Sequence, residues 1–243
     1  MSDVTKKKPV SFYELKWDSD FFKVTCAKAI LHEPLSRDEW DDLKEKFNDY
    51  QLISIENQHS DPVNSQLIGK ETSAFLADVN IQFAKKLEFA IEKPDNVTVQ
   101  NYLAQDEQIV EMAEFRYSKF IEDKEFYKRN GSQIYKQWII NCFNKPDKYF
   151  VISRNEKGEI DGFLLHSFSE SVCKVELLAV AKNSAGRGIG TRLFRMTEYD
   201  AKRKGCDEIR VGTMIRNLNA INFYHKMGCK QIGCHQIYHL WRL

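Results

Sequence analysis

The chain has 243 residues, 42% hydrophobic and 29% charged, an ordinary balance for a globular protein that buries a core. Its 36 Lys and Arg against 35 Asp and Glu leave a formal charge of +1, so no global field draws it to nucleic acid or a membrane surface. No stretch approaches the roughly 20 apolar residues of a membrane helix, and the lysine-rich start has no apolar run behind it, which argues against a secretory leader. A cytoplasmic location is the expectation, and the six scattered cysteines, with no Cys-x-x-Cys pair, agree with reduced thiols.

The first segment with character, 12–22, is dense in aromatics and reads as a strand and turn. Residues 24–31 read as a strand. After Pro34, Ser36 and Glu39 form a capping box, and Trp40, Leu43 and Phe47 share one face of a helix that stops near Asn48. A strand follows at 51–56. Asp61-Pro62 is a cap followed by proline in the first helical turn, which starts a short helix. Residues 73–83 are strand-like, with a slip in alternation near Asp78 that suggests a bulge. Helix and strand thus alternate through a small α/β domain, 1–93, bounded by the polar stretch 92–96.

The second domain, 97–243, opens with a strand at 97–102. Ile109, Met112, Ala113, Arg116 and Phe120 then lie on one face of a helix. Arg116 is on that apolar face, either as a snorkelling or ion-paired residue or as an anion contact for an acceptor. A second helix carries Tyr135, Trp138, Ile139 and Cys142. Strands at 149–153 and 160–168 flank Asn155-Glu-Lys-Gly158, a hairpin turn signal. The apolar run 175–180 is short and ends in polar residues and glycines, which suits a buried strand.

Gly186, Gly188 and Gly190 alternate around Arg187 and Ile189, so the backbone there is free to take positive φ and approach a ligand. Ile189, Leu193, Met196 and Thr197 then form one face of a helix. A glycine-rich turn opening a helix aims unpaired N–H groups and the positive end of the dipole at one point, which suits a pyrophosphate. No Lys-Ser/Thr pair follows the glycines, so this is not a P-loop. No acidic residue stands about 20 residues on at the end of a second strand, as a dinucleotide site requires. A strand at 208–213, a helix at 219–227 and a terminal strand at 231–243 complete the chain. Cys229, Cys234, His235 and His239, with His225 upstream, imitate a zinc site, but the Cys and His pairs abut where a zinc finger separates them by about 12 residues. No metal is expected.

Two motifs in this half resemble the GNAT superfamily of acyl-coenzyme A dependent N-acyltransferases. One is Gly186-Arg187-Gly188-Ile189-Gly190-Thr191, with Ala185 where that family carries Arg or Gln. The other is Asn-x-x-Ala-x-x-x-Tyr-x-x-x-Gly, matched at Asn217, Ala220, Tyr224 and Gly228. The resemblance implies a GNAT fold, an α/β (α+β) arrangement in which a mixed, mostly antiparallel sheet is flanked by helices, here preceded by the smaller α/β domain. It implies acyl-coenzyme A, acetyl or a short acyl, as cosubstrate. Arg187, Gly188, Ile189, Gly190, Thr191 and Asn217 would hold it, together with the backbone N–H groups of Leu178 and Val180. Leu178 N–H would also polarise the thioester carbonyl, and Tyr224 would be the acid for the departing thiolate. The base is open between His166, Glu176, a water chain and an amine that arrives deprotonated; Arg192 and Arg195 are either phosphate contacts or a solvated helix face.

Outside the core motifs, Trp17-Asp18-Ser19-Asp20-Phe21-Phe22, the stretch from Phe115 to Phe120, Asp123, Phe126 and Tyr135-x-x-Trp138-Ile139 resemble the TDP-fucosamine acetyltransferase group. That resemblance implies transfer of acetyl or a short hydroxyacyl group, such as 3-hydroxybutyryl, to the amine of a dTDP-linked amino-dideoxyhexose for surface-polysaccharide (O-antigen) biosynthesis. A homodimer is compatible with it. The alternatives are a GNAT enzyme acting on a protein, a polyamine or another small amine, and a non-catalytic acyl-coenzyme A binding module.

Overall fold

The computed structural model describes residues 8–87, 91–115 and 117–243. The chain divides into two compact units that are not consecutive in sequence. One holds the residues up to Ile81 with Ser118–Gly131 and Gly233–Leu243; the other holds Gln82–Tyr117 and Ser132–Ile232. The division expected at 93/97 therefore differs from the observed one, which falls within two strands and reassigns two later stretches to the first unit.

The first unit begins with β1 (Val10–Glu14), α1 (Lys16–Phe22), β2 (Cys26–Leu31), α2 (Arg37–Lys46), β3 (Leu52–Asn57), α3 (Pro62–Glu71) and the start of β4 (Phe75–Lys86). Where a strand and turn were expected after Tyr13, residues 16–22 form a helix, because Phe22 turns inward and Lys23 closes the turn in the left-handed region. Ser36 and Glu39 make the capping box, and Asp61 accepts from the N–H groups of Val63 and Asn64 ahead of Pro62. Both caps satisfy N–H groups that have no partner inside their own helix. The sheet pairs β1 antiparallel to β2 and β2 parallel to β3. The C-terminal strand returns to this unit, with Trp241 opposite Leu52 and Gln236 opposite Asn57. Alternate residues of these strands (Ala29, Leu31, Ile53, Ile55, Tyr238, Leu240) face Trp40, Leu43, Phe47 and Ile68 in one core.

The second unit carries β5 (Val97–Asn101) and α4 (Glu107–Met112). The chain then contributes α5 (Lys119–Glu122) and α6 (Lys124–Lys128) to the first unit and returns for α7 (Ile134–Ile140). The single helix expected from Ile109 to Phe120 is not formed. Helix α4 ends at Met112, and Ser118 caps a new helix by accepting from Phe120 N–H. Arg116 lies outside the described residues. Next come β6 (Tyr149–Arg154), β7 (Ile160–Ser169), β8 (Val172–Val180), α8 (Ile189–Arg203), β9 (Glu208–Met214), α9 (Leu218–Lys226) and β10 (Lys230–Trp241). The turn before β7 is the expected one: Gly158 has φ 80° and its N–H donates to Asn155 C=O at 2.9 Å.

The order β9-β8-β7-β6-β5 is antiparallel except for the β8/β9 pair. One face of β7, with Phe163 and Leu165, packs on α4 and α7 through Ile109, Ala113 and Ile139. The other face, with Gly162 and His166, looks onto α8. Among the described residues no helix is long and apolar enough to cross a membrane.

Candidate active site

The site begins with two irregularities in β8. Leu165 pairs with Leu177 but His166 pairs with Val175, so Glu176 is the extra residue of a bulge. A bulge bends its strand and raises the local twist. On the opposite edge the parallel ladder to β9 runs from Val172/Glu208 to Val175/Val211 and stops, although both strands continue. From Glu176 onward β8 parts from β9. Its backbone groups on that edge are then left for another partner, which is what a ligand lying along Leu178 and Val180 requires.

The turn after β8 has the conformation its glycines were expected to allow. Gly186 and Gly188 have φ of 81° and 75°, and Gly188 is the N-cap of α8 with no side chain capping the helix. The first N–H groups of α8, from Ile189 onward, are therefore open to an anion. Ile189 itself is 2% exposed, so its side chain is core while its backbone faces the turn. Arg187 is exposed. Arg192 donates from Nη1 to Arg187 C=O at 3.3 Å, and its Nε is buried with no hydrogen-bond partner among the described residues. A turn with two left-handed glycines, an uncapped helix N-terminus and an orphaned guanidinium nitrogen fits a diphosphate.

Gly190 shows how the expected residues converge. A Cβ built there would stand 3.4 Å from the Phe223 ring and 3.9 Å from Leu178 Cδ2, so the first turn of α8 sits directly against β8 and α9. Thr191, half-buried, follows it. Tyr224, next to Phe223, is 6% exposed, and its ring lies 5.7 Å from that of Phe83 and 6.2 Å from that of Phe194. Burial pushes its phenol above the ordinary value, with Cys229 adding to the effect, so the proton is held firmly at neutral pH. Asn217 is the N-cap of α9, its Oδ1 accepting from Ala220 N–H at 3.2 Å. It sets the start of the helix that carries Tyr224.

The two base candidates are engaged inside the unit. His166 is fully buried on the α8 side of β7, with Nε2 3.2 Å from Asp200 Oδ2 and its ring 5.6 Å from Tyr149. Alternation along β7 directs the ring under α8. Burial opposes the Asp200 charge, yet the bonds from His166 and Arg203 outweigh it and hold the carboxyl below the usual range. Glu176 receives Lys148 Nζ at 2.7 and 2.8 Å on its two oxygens and also accepts from Ser167 Oγ. Two of the Cys and His residues that imitate a zinc site have other partners. His239 Nδ1 lies 2.7 Å from Asp123 Oδ2, Cys234 Sγ lies 3.2 Å from Ser60 Oγ, and no three potential ligands converge among the described residues.

Three residues of the site were not singled out in the sequence. Gly162 lets α8 seat on β7, because a Cβ there would lie 2.7 Å from Ile189 Cγ2. Its signal is a glycine inside a strand. Lys85 pairs with the buried Glu198 of α8 and donates to Met227 C=O at 2.7 Å, at the end of α9, so it ties together the two helices behind the site. Asp161 lines a cavity of about 570 Å³ with Leu178, Val180, Met112 and Phe115. Neither Lys85 nor Asp161 has a local sequence signal, since each acts on partners far along the chain.

Residues 107–229 match the model of the Acetyltransferase (GNAT) family. Among similar proteins, the spore coat polysaccharide biosynthesis protein SpsD of Bacillus subtilis is 24% identical over 137 residues, 56% of this chain and 47% of that protein. An acetyltransferase of Agrobacterium fabrum is 31% identical over 93 residues, 37% of this chain and 66% of that one. The chain thus spans about half the length of the first of these relatives. Among solved structures, a GCN5-related N-acetyltransferase from Sphaerobacter thermophilus aligns with a TM-score of 0.62 at 12% identity, over 96% of this chain and 76% of the other. A functionally unknown conserved protein from Staphylococcus epidermidis aligns with a TM-score of 0.66 at 13% identity, over 100% and 94%. With the family match extending over half of its length, on the segment that builds the parted strands, the glycine turn and the Tyr224 helix, the chain belongs to the GNAT acetyltransferase family.

Proposed function

We propose that this acyl-coenzyme A dependent N-acyltransferase acylates the amine of a nucleotide-linked amino sugar, a dTDP-amino-dideoxyhexose of the fucosamine type, with acetyl or a short hydroxyacyl group. The observation that carries the transfer chemistry is the convergence of Leu178, Gly190 and Phe223 beside Tyr224. The sugar is supported by the sequence resemblance and by the likeness to a protein named for polysaccharide biosynthesis.

When bound, acyl-coenzyme A supplies an activated carbonyl on a thiol leaving group. The N–H groups opening α8 would hold its diphosphate, and the Gly186 and Gly188 backbone allows the close approach. Leu178 and Val180 would fix the acyl arm along the free edge of β8, with Leu178 N–H polarising the carbonyl. Positioning both reactants lets the amine attack directly. The neutral amine attacks, the C–N bond forms as the C–S bond breaks, the amine gives its proton to solvent water because His166 and Glu176 are engaged elsewhere, and the sulfur requires one. Tyr224 is the donor to that sulfur. A phenol titrates near 10 and a thiol near 8.5, so complete transfer is uphill by about 2 kcal/mol before burial adds to it, and a hydrogen bond to the developing charge is the favoured form of help.

The acceptor is tested by following thiol release with a thiol-reactive dye, crossing acetyl- and 3-hydroxybutyryl-coenzyme A with a panel of TDP-amino-deoxysugars, polyamines and peptides. Turnover that depends on a TDP-sugar supports the proposal and reads out the acyl preference. Turnover stimulated only by polyamines or peptides moves the assignment to a different amine.

A further inference from the structure

We propose that Glu176 is a positioning residue for the transfer: held by Lys148 and Ser167, it pins the β8 bulge and so selects Leu178 and Val180, rather than Leu177 and Ala179, as the residues whose N–H groups face the coenzyme. The proposal rests on the N-acyl transfer reading, in which the Leu178 N–H meets the thioester carbonyl. Ala181 N–H donates to Asp161 C=O at 2.9 Å, so it points at β7. Neighbouring N–H groups of a strand point to opposite edges, which turns Leu177 and Ala179 toward β7 and Leu178 and Val180 toward the edge that β9 leaves. Without the bulge, the pairing of His166 with Val175 would continue as Leu165 with Glu176 and Leu164 with Leu177. That one-residue slip would exchange the two sets in both edge and face.

The residue at position 176 decides between the two registers. In the regular ladder its carboxylate would lie opposite Leu165, a fully buried residue of the core shared with Phe150, Phe163 and Ile139, where a charge without partners is unfavourable. With the bulge, Leu177 takes the place opposite Leu165 and packs on that core, while the Glu176 side chain, 8% exposed, is anchored elsewhere. Lys148, one residue ahead of the Tyr149/His166 pair that opens the β6/β7 ladder, donates to its two oxygens at 2.7 and 2.8 Å, and Ser167 Oγ on β7 donates to Oε1. The anchor thus crosses from β6 over β7 to β8. Leu178 is released to the opposite face and reaches α8, where its Cδ2 would lie 3.9 Å from a Cβ at Gly190. Glu176 acts through the backbone of Leu178 and takes no proton.

The test is amide hydrogen exchange, resolved by leucine-selective isotope labelling, with and without acetyl-coenzyme A, and thiol release alongside. It compares wild type, Glu176→Gln and Glu176→Leu, the last also combined with Lys148→Met so that no ammonium is left without its partner. In wild type, Leu177 should be protected throughout and Leu178 only once acetyl-coenzyme A is added. Glu176→Leu, alone or with Lys148→Met, should keep a cooperative thermal transition, exchange the protection of the two leucines and lose at least about tenfold in kcat, while acetyl-coenzyme A still binds through the start of α8. Glu176→Gln keeps an acceptor oxygen for Lys148 and Ser167, and should retain both the protection pattern and most of kcat, which a general base at this position would not. Unchanged protection and kcat in the leucine variants, loss of their cooperative transition, or an equal loss of kcat in Glu176→Gln overturns the proposal. A wild-type Leu178 amide that gains no protection from bound acetyl-coenzyme A instead overturns the transfer reading beneath it.

Discussion

At the scale of single residues, the site depends on where the backbone is left without a Cβ. The glycines after β8 were legible because three of them alternate at the start of an amphipathic run, a pattern with a direct conformational cause. Gly162 was not, because what it accommodates is the Ile189 side chain, contacted across the sheet and invisible in the local pattern. Gly162→Ala should cost about 1–3 kcal/mol by overpacking against Ile189 and Leu193, read as a lower midpoint in denaturant unfolding; an unchanged midpoint would mean the helix can shift freely. Gly188→Ala places a side chain at φ 75°, which should cost about 1–2 kcal/mol and weaken acetyl-coenzyme A binding with little change elsewhere. Equal affinity in the variant would show that the helix N-terminus does not hold the coenzyme.

At the scale of elements, strands and caps were read closely: the Ser36 and Asp61 caps, the hairpin at Gly158 and the α8 stripe all stand where local chemistry puts them. The helix expected through Arg116 failed because its apolar spacing continued past Met112, while the capping competition at Ser118 broke the chain into shorter helices. Periodicity alone does not register such a break. The elements behind the site are joined by Lys85, which meets Glu198 on α8 and the last turn of α9. Lys85→Met strands the Glu198 carboxylate, 5% exposed, and should destabilise by about 3–5 kcal/mol; adding Glu198→Leu should restore part of that loss. Two independent, additive losses in a double-mutant cycle would show that the pair is not coupled.

At the scale of the whole molecule, the sequence order and the order of compact units disagree, and no local pattern could reveal it. Trp241 pairs with Leu52, and Tyr238 and Leu240 complete the core built on Trp40. These are contacts between distant stretches that only the folded sheet specifies. Removing residues 236–243 should therefore abolish cooperative unfolding of the first unit, monitored by the environment of Trp40; a retained sharp transition would contradict that role.

The same strand carries a pH dependence. Burial holds His239 below its usual value against the opposing bond to Asp123, so the unfolded chain takes up the proton first as pH falls. Stability is full above about pH 6.5 and declines as pH drops through that value until folded His239 also protonates. Burial opposes the Asp123 charge, but its bonds from His239 and Trp241 prevail and hold it low, adding a loss in the same direction below about pH 4. His239→Gln should flatten the decline between pH 7 and 5, and an unchanged slope would assign it to other groups, His235 among them, which burial also lowers.

Tyr224 is proposed as the proton donor to the leaving sulfur, and burial keeps its phenol protonated. Single-turnover thiol release from acetyl-coenzyme A in the presence of a competent amine, comparing wild type with Tyr224→Phe, addresses it most directly. The ring keeps its packing against Phe83 and Phe194 in that variant and loses only the hydroxyl. The prediction is a fall in kcat of about 10²-fold or more with acetyl-coenzyme A affinity unchanged. An undiminished kcat would contradict the role and leave Tyr224 as a packing residue of α9.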